Sequence, residues 1–104
     1  MLIDRGVAVA LATDINPGAG LSSSMPFVMT LACFAMQMTF EEALIAATLN
    51  AAWSVDRAGN AGSLEPGKLM DAVLLNGSLT ELIRVNAPAI RMVVKRGKVV
   101  FQSF

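Results

Sequence analysis

The sequence predicts an α/β fold, and three observations carry that expectation. Residues 7–12, VAVALA, form a short apolar run with no polar alternation, the pattern of a strand buried on both faces as in a parallel sheet. Residues 25–38 and 40–55 each open on helix-start chemistry and continue without an internal breaker. Residues 90–95 and 98–101 are β-branched runs on either side of Arg96-Gly97, a hairpin signal.

The elements are taken in chain order. Residues 1–6, MLIDRG, read as the end of a helix, with Gly6 as its stop and Arg5 near the negative end of the helix dipole. The strand expected over residues 7–13 then runs into Asp14, and Asn16-Pro17-Gly18 turns the chain. After a polar linker over residues 19–24, Pro26 sits in the first turn of a helix, where its missing N–H costs nothing, with Ser24 or Met25 as cap. Thr39-Phe40-Glu41-Glu42 fits a capping box that opens a second helix running to about Val55. Both helices are apolar on most faces, so they expect cover on more than one side. A turn-rich connector begins at Asp56 and includes Gly59, Asn60, Gly62 and Pro66-Gly67. Residues 72–75 are a short strand candidate, Asn76-Gly77 is a turn dipeptide, and residues 80–85 allow about one helical turn. There is no internal repeat and no low-complexity segment.

Composition narrows the function classes. Of 104 residues, 55% are apolar and 15% charged, against roughly 25% charged in an average soluble domain. A chain this short buries a small share of its surface, so the apolar excess expects a partner surface. The longest nearly apolar stretch, residues 25–38, is shorter than the ~20 residues that span a bilayer. No leader with a basic start and a small-residue cleavage site opens the chain, so cytoplasm is the expected location. One cysteine excludes an internal disulfide framework, and eight basic against eight acidic residues exert no general pull on nucleic acid.

Asp14 is the foremost candidate for chemistry. A carboxylate at the C-terminal end of a buried strand sits where α/β barrels and open α/β sheets place their sites. A metal hydrolase needs a hard oxygen ligand that can also take a proton from the attacking water. On spacing alone, an aspartate capping its own turn is the commoner reading.

A resemblance reverses that preference. ATDINPG, residues 12–18, followed by SMPFVMTLACFAMQMTFEEALIAATLNAA, residues 24–52, resembles the C-terminal part of the imidazolonepropionase family, metal-dependent amidohydrolases of histidine breakdown. The likeness runs over residues 6–100. The D-x-NPG turn with the SMP helix start is specific within the superfamily. GSLEPGK followed by Asp71 supports only the broader class. Members are several times longer, so the resemblance implies the last quarter or so of such a protein. It implies the end of a (β/α)8 barrel over residues 1–56, namely the last strand and two outer helices, and the C-terminal part of a composite small β-domain over residues 57–104. It further implies hydrolysis of a cyclic amide, a zinc or iron cofactor, a small-molecule substrate, a missing N-terminal portion as partner, and a homodimer when full-length.

Residue by residue, Asp14 matches the family's metal ligand and catalytic base. Asn16 and Gly18 match positions that contact the carboxylate of the substrate's propionate arm, and an amide and an exposed backbone N–H are sensible donors to it. The family usually carries serine or threonine after this glycine, and Ala19 departs from that. Ser22, Ser23 or Ser24 are the nearby hydroxyls. The departure leaves room for another cyclic amidase or deaminase.

The chain contains no histidine, whereas such metal sites take about three protein ligands. Ligands must therefore come from outside it, and a non-catalytic segment is the competing expectation for the chain alone. The remaining candidates read as structure. Cys33 is a small core residue, Met25, Met29, Met36 and Met38 are packing, Trp53 anchors its helix to the connector beyond it, and Asp71 fixes the start of a strand. Arg91, Lys95, Arg96 and Lys98 are edge-protecting charges on a solvated hairpin.

Overall fold

In the computed structural model, residues 2–15, 24–84 and 86–103 are described. A single 3-10 turn, Ile3–Arg5, stands where the end of a helix is expected. Gly6 closes it in the left-handed region at φ 80°, donating its N–H to the Ile3 carbonyl. Among the described residues the other elements are α1 Met25–Ala35, α2 Phe40–Ala47, α3 Leu49–Ser54, β1 Ala72–Leu75, α4 Glu81–Arg84, a second 3-10 turn Ala87–Ala89, β2 Ile90–Lys95 and β3 Lys98–Gln102.

Helix α1 starts as its sequence dictates. The Ser24 hydroxyl accepts the Phe27 N–H, and Pro26 occupies the first turn. It stops three residues before the expected Met38, because Gln37 adopts φ 61° and Met38 folds under, donating its N–H to the Ala32 carbonyl at 3.0 Å. The capping box of α2 is formed, with Glu42 N–H to Thr39 Oγ1 at 3.1 Å and Thr39 N–H to Glu42 Oε1 at 2.9 Å. The single helix expected to about Val55 is instead two. Thr48 breaks it at φ −115°, ψ −84°, and its hydroxyl donates to the Leu44 carbonyl at 2.7 Å. A threonine that bonds back to the carbonyl four residues earlier bends a helix.

The sheet is antiparallel in the order β1-β2-β3. Val73 pairs with Val93, and Val93 with Phe101. Between β2 and β3, Arg96 and Gly97 have φ 52° and 80°, the doubly positive turn that matches strand twist in a two-residue hairpin. Asp71 Oδ1 accepts the Arg96 N–H at 2.8 Å, and the Met70 carbonyl accepts the Gly97 N–H at 3.0 Å. Asp71 thus ties the start of β1 to the hairpin turn, the structural role expected of it.

The core is small. Met29, Ala32, Met38, Ala43 and Ala46 are buried, with Ile3, Leu11, Phe40, Leu44 and Ile83 around them. No large side chain is fully buried among the described residues. The Thr30 hydroxyl lies 2.9 Å from the Pro26 carbonyl of its own helix, and 3.3 Å from the Ile83 carbonyl and 3.2 Å from Asn86 Oδ1 where α1 meets α4. By contrast, Phe34 is 76% exposed and Trp53 68%. Among the described residues Trp53 therefore does not anchor its helix to the connector, contrary to expectation. The accessible surface is 7251 Å² for 10.9 kDa, about 30% above the roughly 5,600 Å² typical of a folded monomer of that mass.

Gly62 marks the tightest approach of the connector to the helices. At φ 91°, a Cβ added there would lie 2.8 Å from Ala52 Cβ and 3.1 Å from Leu49 Cα. Gly62→Ala adds both a left-handed strain and a clash, and is expected to destabilise the full-length protein by about 1–3 kcal/mol. Chemical denaturation checks this, and an unchanged midpoint would contradict the packing described.

Candidate active site

Residues 7–15 carry no regular secondary structure, so the strand expected over residues 7–13 is not formed. The physical reason is the lack of a ladder. A parallel strand satisfies its N–H and C=O groups on flanking strands, and among the described residues the three strands pair with one another in a separate sheet. The segment is nevertheless ordered against the helices in a period of two. Val9, Leu11 and Thr13 are half-buried, while Ala8, Ala10 and Ala12 are exposed. The Leu11 N–H donates to the Ala46 carbonyl at 3.0 Å, and Asn50 Nδ2 donates to the Val9 carbonyl at 2.9 Å.

Asp14 ends this segment, is exposed and sits at φ 52° in the left-handed region. Aspartate tolerates that conformation better than most residues, at a cost of order 1–3 kcal/mol. Asn16, Gly18 and Ala19 lie outside the described residues, as do Ser22 and Ser23. Ser24, the remaining nearby hydroxyl, serves as the cap of α1.

Two apolar grooves flank the helices. One, of about 430 Å³, runs along Ala8 and Ala10 against Asn50, Trp53 and Ser54. The other, of about 740 Å³, separates the helices from the sheet and includes Met29, Leu44, Gly62, Leu75 and Val93. Neither gathers a set of metal ligands. Among the described residues, no three His, Cys, Asp or Glu side chains come together as a metal-binding group. With no histidine in the sequence, the donor set of this chain does not fit a catalytic metal by itself.

The other polar groups read as structure. Burial first, and the Glu41 charge second, push the Cys33 thiol up, away from the reactive thiolate. In the GSLEPGK stretch, Ser63 donates to Glu65, and Lys68 Nζ reaches Ser63 Oγ at 2.7 Å and Glu65 Oε2 at 3.0 Å. The Ser63 hydrogen bond, then Lys68, hold the Glu65 carboxyl below its usual range. This knot closes the connector loop. Sequence reading missed Asn50, whose side chain touches the Asp14 segment. Its only signal is a polar residue between Leu49 and Ala51 in a helix start.

The chain belongs to the amidohydrolase family, whose model matches residues 1–100. It is 48% identical over 101 residues to an imidazolonepropionase of Geobacillus thermodenitrificans, covering 95% of this chain and 24% of the relative. Over 75 residues it is 59% identical to the imidazolonepropionase of Geobacillus kaustophilus, covering 72% of this chain and 18% of the relative. A probable imidazolonepropionase of Nematostella vectensis is 49% identical over 106 residues, 98% of this chain and 24% of the relative. The chain thus spans at most about a quarter of the length of these relatives. Among solved structures, an amidohydrolase of Thermotoga maritima superposes with TM-score 0.79 at 26% identity, covering 98% of this chain and 25% of that one. The guanine deaminase of E. coli, at 22% identity and TM-score 0.78 over 99% of this chain and 29% of its own, shares the fold. No helix of the described residues is long and apolar enough to cross a membrane.

Proposed function

We propose that the chain is the C-terminal part of an imidazolonepropionase. The observation that carries this reading is 59% identity over 75 residues to a curated enzyme of that name. The full-length protein adds water across the ring amide of 4-imidazolone-5-propanoate, breaking the C–N bond to give N-formimidoyl-glutamate. On this reading residues 1–56 supply the last strand and outer helices of the barrel, with residues 7–13 becoming a strand only beside the rest of the protein, and residues 57–104 belong to the small β-domain. The flanking strands that residues 7–13 lack come from the rest of the protein, which is the chain's first partner. A homodimer is the expected assembly.

Within this chain Asp14 carries the chemistry. Its carboxylate would give one ligand to a metal and would take a proton from the attacking water. Zinc or iron would supply Lewis acidity there, with the remaining ligands drawn from outside the chain. Asn16 and the Gly18 N–H hold the carboxylate of the propionate arm. Loss of imidazolone absorbance with the purified full-length protein tests the activity, and no loss would overturn it.

Ala19 favours a second reading, another cyclic amidase or deaminase, because it removes a hydroxyl from the carboxylate contact. If the imidazolone is the substrate, Ala19→Ser should tighten its binding. One added neutral hydrogen bond is worth roughly 0.5–1.5 kcal/mol, up to about tenfold in affinity. Several-fold weaker binding with the fold intact would favour the second reading.

A further inference from the structure

Helix α1 carries two apolar faces. One is buried: Met29 and Ala32 enter the core, and Ile3 and Leu11 pack on the same cluster. The other is open, with Phe27 45% exposed, Leu31 44% and Phe34 76%. These three stand at i, i+4 and i+7 and so form one stripe. Each lies two positions from Met29 or Ala32, about 200° around a helix of 3.6 residues per turn. The stripe therefore points away from the core. That direction follows from the helix period and from the packing of α1 on α2, and it holds whether or not residues 7–13 gain flanking strands.

On the barrel reading given above, completing the barrel leaves the stripe uncovered. An outer helix packs inward on the strands and sideways on its two neighbours, and turns its remaining face outward. An outward face is ordinarily charged or polar, yet α1, MPFVMTLACFA, contains no charged residue. We infer that the stripe is the centre of a two-fold interface with a second copy of the protein. The inference rests on that barrel reading for what the inward face meets. A two-fold axis sets one patch against itself, and spacings of four and then three residues make a helix-pairing seam. With two α1 helices antiparallel, Phe27 of one copy meets Phe34 of the other, and Leu31 lies beside the axis against its own counterpart. At these exposures the three side chains offer roughly 300 Å² of apolar surface per copy. That is an aromatic centre for an interface whose polar rim completes the ~800 Å² each partner of a stable dimer buries.

Sedimentation equilibrium of the full-length protein over a concentration series tests this, with Leu31→Arg, Leu31→Glu and their equimolar mixture. The parent is expected to be a dimer. Each variant alone sets two like charges together beside the axis, and should raise the dimer dissociation constant at least about 100-fold. The mixture should restore a dimer containing one copy of each, because opposite charges then face each other, a rescue that misfolded protein would not show. A monomeric parent, a dimer that persists undiminished in either variant, or a mixture that stays monomeric would overturn the inference. Turnover of the imidazolone is measured separately on the parent. Its absence overturns the proposed activity, while sedimentation alone decides the interface.

Discussion

Asp14→Asn in the full-length protein is expected to lower kcat by about 10²–10⁴-fold, the range that a positioned proton acceptor contributes. The amide has the size of the carboxylate, so the backbone at φ 52° has no steric reason to change. Asparagine also tolerates the left-handed region. What changes is chemistry. An amide oxygen is a poor base at neutral pH and a weaker metal ligand than a carboxylate. The loss should therefore appear in kcat and in metal retention, with an unshifted melting temperature. Near wild-type activity in this variant would remove Asp14 from the mechanism and return it to its alternative role as the cap of the NPG turn.

Much of the local structure was legible because its signals are local. The Thr39–Glu42 box, the Gly6 stop and the Arg96-Gly97 hairpin each depend on side chains within a few positions of the backbone they control. The strand over residues 7–13 was not delivered, because its partners are not local and are not among the strands of this chain. The break at Thr48 was hidden for a different reason: a threonine in an alanine-rich helix reads as tolerable until its hydroxyl is seen bonded to Leu44. Trp53 was misread because an aromatic on an apolar helix implies a neighbour, and here that neighbour is not supplied by the described residues. Of the candidate site, Asp14 was singled out by its place after an apolar run, and its proposed role comes from the family resemblance. Asn50 was not, since only the fold brings it to Val9.

The second large effect concerns the 104 residues in isolation. Helices that are apolar on several faces, an accessible surface well above that of a monomer of this mass, and a sheet with two open edges all expect cover. The isolated chain should therefore self-associate or fold loosely, with sedimentation heavier than 10.9 kDa or a broad thermal transition. A monodisperse monomer with a sharp transition would contradict this. Supplying the rest of the protein in trans should bury the groove along Ala8 and Ala10 and give residues 7–13 their ladder.

The most direct measurement of the central claim, that this chain is one part of a larger metal amidohydrolase, is metal content by elemental analysis paired with loss of imidazolone absorbance. Both are made on the chain alone and again after mixing with the N-terminal remainder. The expected result is no stoichiometric zinc or iron and no turnover from the chain alone, with both appearing on mixing. Stoichiometric metal with turnover in the 104-residue chain by itself would contradict the account.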